Sequence, residues 1–107
     1  MISRQPPPNP KRAPLPRRAD YTRQFEKDWR RLSHSGLHDL RRLKEAMLLL
    51  IGNEGPLTEE WQDHPLAGEW SDHRECHAKG DLLLIYLIQD DVVRFVRAGT
   101  HSELFGR

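Results

Sequence analysis

Leu82-Leu83-Leu84-Ile85-Tyr86-Leu87-Ile88, bracketed by Lys79-Gly80-Asp81 before and Gln89-Asp90-Asp91 after, decides the fold. Seven consecutive apolar positions require cover on both faces of an extended chain, and Ile85 and Tyr86 favour strand over helix. This predicts a central strand between two turns. Upstream, residues 73–78 alternate, with His73, Glu75 and His77 on one face and Arg74, Cys76 and Ala78 on the other. Downstream, Val92 to Arg97 is a second partner, with Val93, Phe95 and Arg97 on one face and Val92, Arg94 and Val96 on the other. A further strand is expected around 65–70, and a last helical turn over Ser102 to Phe105.

Before Pro56 the apolar period is helical. Phe25, Trp29 and Leu32 form one stripe behind Thr22, an N-cap residue, which predicts a helix over about 22–34. Ser35 and Gly36 break it. Leu37, Leu40, Leu43, Met47, Leu50 and Ile51 predict a second helix over about 37–53, ended by Asn53, Gly55 and Pro56. The expected fold is a small α+β domain: two N-terminal antiparallel helices packed on a small antiparallel sheet, with a short C-terminal helical turn.

The 107 residues fit one small domain, and their net charge of +1 averages unlike parts. Residues 1–18 carry +5 and six of the eight prolines, so they are read as a disordered basic arm, with the folded domain over 19–107. Residues 21–44 carry +4 and 45–107 carry −7. The helix cations, Arg30, Arg31, Arg41, Arg42 and Lys44 among them, suit either a solvated face or a polyanion-facing one. Cys76 is the single cysteine, which excludes an intrachain disulfide and points to a reducing compartment. The apolar runs, Ala46 to Ile51 among them, are too short to cross a membrane, and no apolar stretch follows the basic arm as in a secretory signal. A cytoplasmic protein with no membrane partner is expected.

His64, His73, His77 and His101 all fall in the sheet half, with Asp81 and Arg97. Histidines of this kind suit paired acid–base work. RNA cleavage needs such a pair: a base removes the ribose 2′ proton, an acid protonates the leaving 5′-oxygen, and a cation steadies the phosphorane. A zinc set of His64, His73, Cys76 and His77 is disfavoured, because alternation puts Cys76 opposite the histidines and the ligand spacing is not knuckle-like. No metal or other cofactor is expected. Cys76, on an apolar strand face, reads as core and not as a nucleophile.

Four segments, Asp63-His64-Pro65-Leu66-Ala67-Gly68, Arg74-Glu75-Cys76-His77, Asp81-Leu82-Leu83-Leu84-Ile85-Tyr86 and Arg97-Ala98-Gly99-Thr100-His101-Ser102-Glu103-Leu104-Phe105, resemble in order and spacing the YafQ-type toxins of the RelE/ParE superfamily. The likeness covers roughly 20–107. It implies a RelE-like fold and a toxin of a type II toxin–antitoxin pair, a metal-independent endoribonuclease that cuts mRNA on the ribosome. By that likeness His101 is the general acid, while His64, His77 and Asp81 share base and proton-placement roles. Arg97 steadies the phosphate, and Phe105 stacks on or orients a base. The helix cations would grip ribosomal RNA, and a cognate antitoxin would cover part of the surface. The chain departs from the family at Leu82, where a tryptophan is expected, and in its arm. A ParE-like gyrase inhibitor without nuclease activity, or an inactive binding module, is the competing reading within the superfamily.

Overall fold

The computed structural model describes residues 14–106. The elements are β1 (Arg18–Tyr21), α1 (Arg23–Ser35), α2 (Arg41–Gly52), β2 (His64–Pro65), β3 (Arg74–Lys79), β4 (Leu82–Gln89), β5 (Val92–Thr100) and α3 (His101–Phe105), with short 3-10 turns at Glu59–Trp61 and Gly68–Trp70. The sheet order is β1-β5-β4-β3-β2. As the apolar run requires, β4 is central, with Leu82 to Tyr86 all buried.

The expectation of an antiparallel sheet is corrected at one edge. β1 runs parallel to β5, with Arg18 opposite Val92 and Tyr21 opposite Phe95, so the sheet is mixed. All four β1 residues are exposed, and nothing in their alternation announces a strand. Backbone hydrogen bonds from Arg17 N–H to Ile51 and from Arg18 N–H to Asp91 tie this segment down, so the folded body begins before residue 19. Residues 1–13 of the expected arm lie outside the described residues.

α1 starts where expected: Thr22 Oγ1 accepts from the Phe25 N–H, and Gly36 closes the helix at φ 69°. α2 starts later than expected. Leu37 is 82% exposed, and Arg41 N–H donates to the Asp39 carboxylate, which begins the helix at Arg41. The strand expected at 65–70 is only His64–Pro65, because Gly68 at φ 66° turns the chain into a 3-10 turn. β5 runs on to Thr100, and a bulge at Val96 shifts its register against β4.

α1 lies against β5 and α2 against β3. They close the main core: Phe25, Leu32, Leu43, Ala46 and Leu50 over Cys76, Leu84, Tyr86, Val93 and Phe95. Leu82 belongs to this core. The opposite sheet face carries a smaller cluster of Leu83, Ile85 and Leu104, bordered by Leu66, Trp70, Val96 and Phe105. That open face carries the site. No helix among the described residues is long and apolar enough to cross a membrane.

Candidate active site

Register builds the site. His64 lies opposite Glu75, Glu75 opposite Ile85, and Ile85 opposite Arg97, one row across β2, β3, β4 and β5. Directly opposed residues share a face, so this row lies on the open side. One step along, His77 opposes Leu83, which opposes Gly99.

The loop carrying His64 is pinned at both ends. Asp63 accepts from Arg74 Nε and Nη2 and from the Tyr86 hydroxyl. Burial and this bond together push the Tyr86 phenol above its ordinary range. His64 Nδ1 sits 2.7 Å from the Gln62 carbonyl, and Pro65 keeps His64 extended. The ring's other nitrogen, Nε2, is 3.1 Å from Glu75 Oε2, and His77 Nε2 is 3.8 Å from the same oxygen. The two imidazoles are 6.0 Å apart between centroids. Glu75 is 6% exposed, and its Oε1 has no hydrogen-bond partner. A buried carboxylate between two histidines is thus the centre of the group, and the sequence reading passed over it. The signal was present: the period-2 pattern placed Glu75 between His73 and His77 on one face.

The remaining expected residues stand around this trio in different ways. Thr100 caps α3, its hydroxyl accepting from Glu103 N–H while the Glu103 carboxylate accepts from Thr100 N–H. This capping box fixes His101 at the helix start. Asp81 Oδ1 accepts from the His101 backbone N–H at 3.2 Å, so Asp81 anchors α3 and does not bond the imidazole. The His101 ring packs edge-on against Phe105 at 4.9 Å, and Phe105 against Trp70 at 6.4 Å. Trp70, also missed, borders the same apolar patch as Phe105. The trio and the His101–Phe105 pair therefore flank Leu83, Ile85 and Leu104.

Arg97 turns from the row towards α1. Its Nε is 2.7 Å and its Nη2 3.1 Å from the Asp28 carboxylate, which also accepts from Arg31 Nη1 and Ala98 N–H. Burial alone would raise the Asp28 pKa; the bonds from Arg97, Arg31 and Ala98 outweigh it and hold the carboxyl below its ordinary value. Arg97 keeps Nη1 outside this contact. Gly99 allows the close packing nearby: a Cβ there would lie 3.0 Å from Arg31 Nη2, 3.1 Å from Glu103 Oε1 and 3.3 Å from Leu104 Cδ2.

Cys76 is fully buried in the main core, and burial pushes its thiol up to about 12. His73 belongs to neither group. Its Nδ1 contacts the Ser71 carbonyl and its ring stands edge-on to Trp70.

The helix cations are largely engaged within the chain. Arg30 pairs with Glu26 and Arg41 with Asp39 on the surface. Arg31 joins Asp28, Glu103 and the Ala98 carbonyl. Arg42 bonds Glu45 and the Ala78 carbonyl, with its guanidinium carbon 3.9 Å above the Trp61 ring. Lys44 lies 5.9 Å from the Trp29 ring.

This chain and its fold match one described class. The family model for bacterial toxins of type II toxin–antitoxin systems, YafQ, matches residues 17–106, which places the chain among type II toxins. Within that class it belongs to the YafQ family. The mRNA interferase toxin YafQ of Escherichia coli K12 is 41% identical over 92 residues, covering 86% of this chain and 99% of the relative. A crystal structure of the E. coli DinJ–YafQ toxin–antitoxin complex matches at TM-score 0.77 and 41% identity, over 86% of this chain and 100% of that one. A metal-bound toxin from Helicobacter pylori matches at TM-score 0.73 and 40% identity, over 83% and 99%.

Proposed function

We propose that this chain is an mRNA endoribonuclease, the toxin of a type II pair, which cuts message on the ribosome and is held in check by a cognate antitoxin. The observation that carries the reading is the His64–Glu75–His77 trio facing His101 and Phe105 across an apolar patch. The trio accepts the ribose 2′ proton, the 2′-oxygen attacks the adjacent phosphorus, and His101 protonates the departing 5′-oxygen. Arg97, oriented by Asp28, meets the phosphate through Nη1, and Phe105 with Trp70 stacks a base. Asp81 acts at one remove, by holding the helix start that presents His101. The route uses no metal; from the H. pylori toxin we carry over only that a protein of this fold accommodates an ion.

Ribosomal RNA contact falls unequally on the helix cations. Exposed ion pairs contribute only about 0–1 kcal/mol, so Arg30 and Arg41 exchange a carboxylate for a phosphate at little cost. Arg31 and Arg42 are each held at several points and serve the fold first. Lys44 has no carboxylate to give up in the contacts described and completes the RNA-facing set. The antitoxin partner follows from the likeness to the E. coli toxin of the DinJ–YafQ complex, and a cytoplasmic site of action from its ribosomal target.

The test is induced expression followed by mapping of new mRNA 5′ ends. Wild type should arrest growth and generate ends within translated codons, while His101→Ala and Glu75→Gln should abolish both. Growth arrest with DNA damage and no new mRNA ends would instead establish gyrase inhibition.

A further inference from the structure

We propose that Asp63, clamped by Arg74 and Tyr86 on the helix side of the sheet, is a positioning residue for cleavage: it holds His64 in the tautomer that leaves a place for an incoming proton between His64 and Glu75. The effect on rate rests on the endoribonuclease reading; the effect on the ring stands without it.

The His64 proton has two competing seats. Nδ1 is 2.7 Å from the Gln62 carbonyl, and Nε2 is 3.1 Å from Glu75 Oε2. A carbonyl and an ionised carboxylate only accept, so a neutral ring satisfies one of them and not the other. With the proton on Nε2, the gap between His64 and Glu75 is already filled. With the proton on Nδ1, two lone pairs face each other across that gap, and their repulsion raises the affinity for a proton arriving from the ribose. Left to itself the ring would choose Nε2, because a carboxylate is the stronger acceptor. The Gln62 carbonyl wins only while it is held against Nδ1.

What holds it lies on the other face of the sheet. Gln62 is in the left-handed region, at φ 49° and ψ 40°, a conformation that a residue with a side chain keeps only where its surroundings enforce it. On one side of it Trp61 is 1% exposed. On the other, Asp63 accepts from Arg74 Nε at 3.2 Å, from Arg74 Nη2 at 3.0 Å and from the Tyr86 hydroxyl. Pro65 lies opposite Arg74, Arg74 opposite Tyr86, and Tyr86 opposite Phe95, the row next to the one that carries His64, Glu75 and Arg97. Tyr86 and Phe95 belong to the main core, so Asp63 grips the helix side while its chain neighbour His64 serves the open side.

Tyr86 is a second observation for the same device. A phenylalanine would fill its place in the core, whereas a buried hydroxyl is costly unless bonded, and Asp63 is its partner. Burial and that bond raise the phenol above its ordinary range, so it keeps its proton and donates. Two residues thus spend their polar groups on one carboxylate, immediately before His64 in the chain.

The test reads the ring directly. In the full chain with ¹⁵N-labelled histidines, two-bond ¹H–¹⁵N correlations, assigned by their loss in His64→Gln, report which nitrogen carries the proton at alkaline pH, where the ring is neutral. Wild type should show His64 protonated on Nδ1, and Asp63→Asn should move the proton mostly to Nε2. General-base catalysis contributes about 10²–10⁴ in rate, and a group one step removed commands part of it, so single-turnover cleavage by Asp63→Asn should fall about 10–100-fold with the half-saturating ribosome concentration unchanged. Tyr86→Phe keeps the shape of the core and the Arg74 contact. It should give a mixed tautomer and a loss of about 3–10-fold, the worth of one hydrogen bond. Phe25→Leu, a core change remote from the clamp, should lower the thermal midpoint and leave the tautomer as in wild type. Wild type already protonated on Nε2, or Asp63→Asn and Tyr86→Phe both with the wild-type tautomer, overturns the clamp. So does Phe25→Leu shifting the proton as far as Asp63→Asn does, because the effect would then be one of stability alone. A slower Asp63→Asn whose loss lies wholly in the half-saturating concentration overturns the effect on rate. Wild type that cleaves nothing defeats the endoribonuclease reading, and the effect on rate with it, while the tautomer spectra still decide the clamp.

Discussion

Asp28→Asn is the most informative single change for the architecture beneath the site. The carboxylate is fully buried and accepts from Arg97 twice, from Arg31 and from the Ala98 N–H. Asn keeps the shape and removes the charge, leaving two guanidiniums facing a neutral amide that offers one acceptor instead of two. Removing one partner from a fully buried ion pair costs about 3–5 kcal/mol. Here the cations reach water, Arg97 at 21% and Arg31 at 41% side-chain exposure, and solvent recovers part of the loss. The expected destabilisation is therefore about 2–3 kcal/mol. In urea, with a slope near 1–1.5 kcal/mol/M for a domain of this size, that lowers the midpoint by roughly 2 M. The effect has a pH signature. The folded-state pKa of Asp28 lies below its ordinary 3.8, so the carboxylate's contribution is present above that value and is lost as pH falls through the folded pKa. Wild type and variant should therefore differ most near neutrality and converge below pH 3.8. Urea curves at pH 7 that differ by less than about 0.5 kcal/mol would refute the reasoning, as would a gap that persists undiminished into strong acid.

The other expectations concern the C-terminal motif, the cations and the chain start. Gly99→Ala forces Arg31, Glu103 and Leu104 apart and should cost about 1–3 kcal/mol, read as a lower thermal midpoint. Thr100→Ala removes the α3 cap, costing about 1 kcal/mol, and should lower kcat for mRNA cleavage more than it weakens ribosome binding, because it frees His101 and leaves the helix cations untouched. Arg41→Ala should weaken ribosome binding and flatten its salt dependence with unchanged stability, whereas Arg42→Ala should lower the thermal midpoint through its lost packing on Trp61; equal behaviour of the two would contradict the division drawn between them. Deleting residues 1–13 should leave cleavage intact, but extending the deletion through Arg18 should destabilise the fold, since Arg17 and Arg18 make backbone bonds to Ile51 and Asp91.

What the sequence disclosed was what periodicity can encode. The Phe25–Trp29–Leu32 stripe, the Thr22 cap and the run from Leu82 to Ile88 each satisfy a local rule and kept it in the fold. β1 did not, because Arg18-Ala19-Asp20-Tyr21 buries nothing and is a strand only by virtue of β5. Leu37 had helical spacing but no surface to cover, and α2 began without it. The site divides similarly. Spacing put His64, His77 and His101 in one half of the chain, and alternation placed Glu75 on a face with His73 and His77, yet burial of an acid is unusual and no local pattern announces it. Arg97 was legible as a cation, but not its engagement: its partner Asp28 lies 69 residues away, a distance no local pattern spans.

The parallel pairing of β1 with β5 carries a consequence for how the molecule is made. Arg18 must find Val92, and Thr22 the Val96 carbonyl 74 residues on, before the sheet edge and the start of α1 are complete. The Asp28–Arg97 bond closes a loop nearly as long. Contacts of such separation form late, because the entropy of closing the loop comes before any return from it. A nascent chain with both helices already outside the ribosome therefore has neither its edge strand nor the capped turn that carries His101. Synthesis and arming are separated in time. On the proposed function, the ribosome that translates this message is spared until the last strand has emerged, an interval in which a partner can already be waiting.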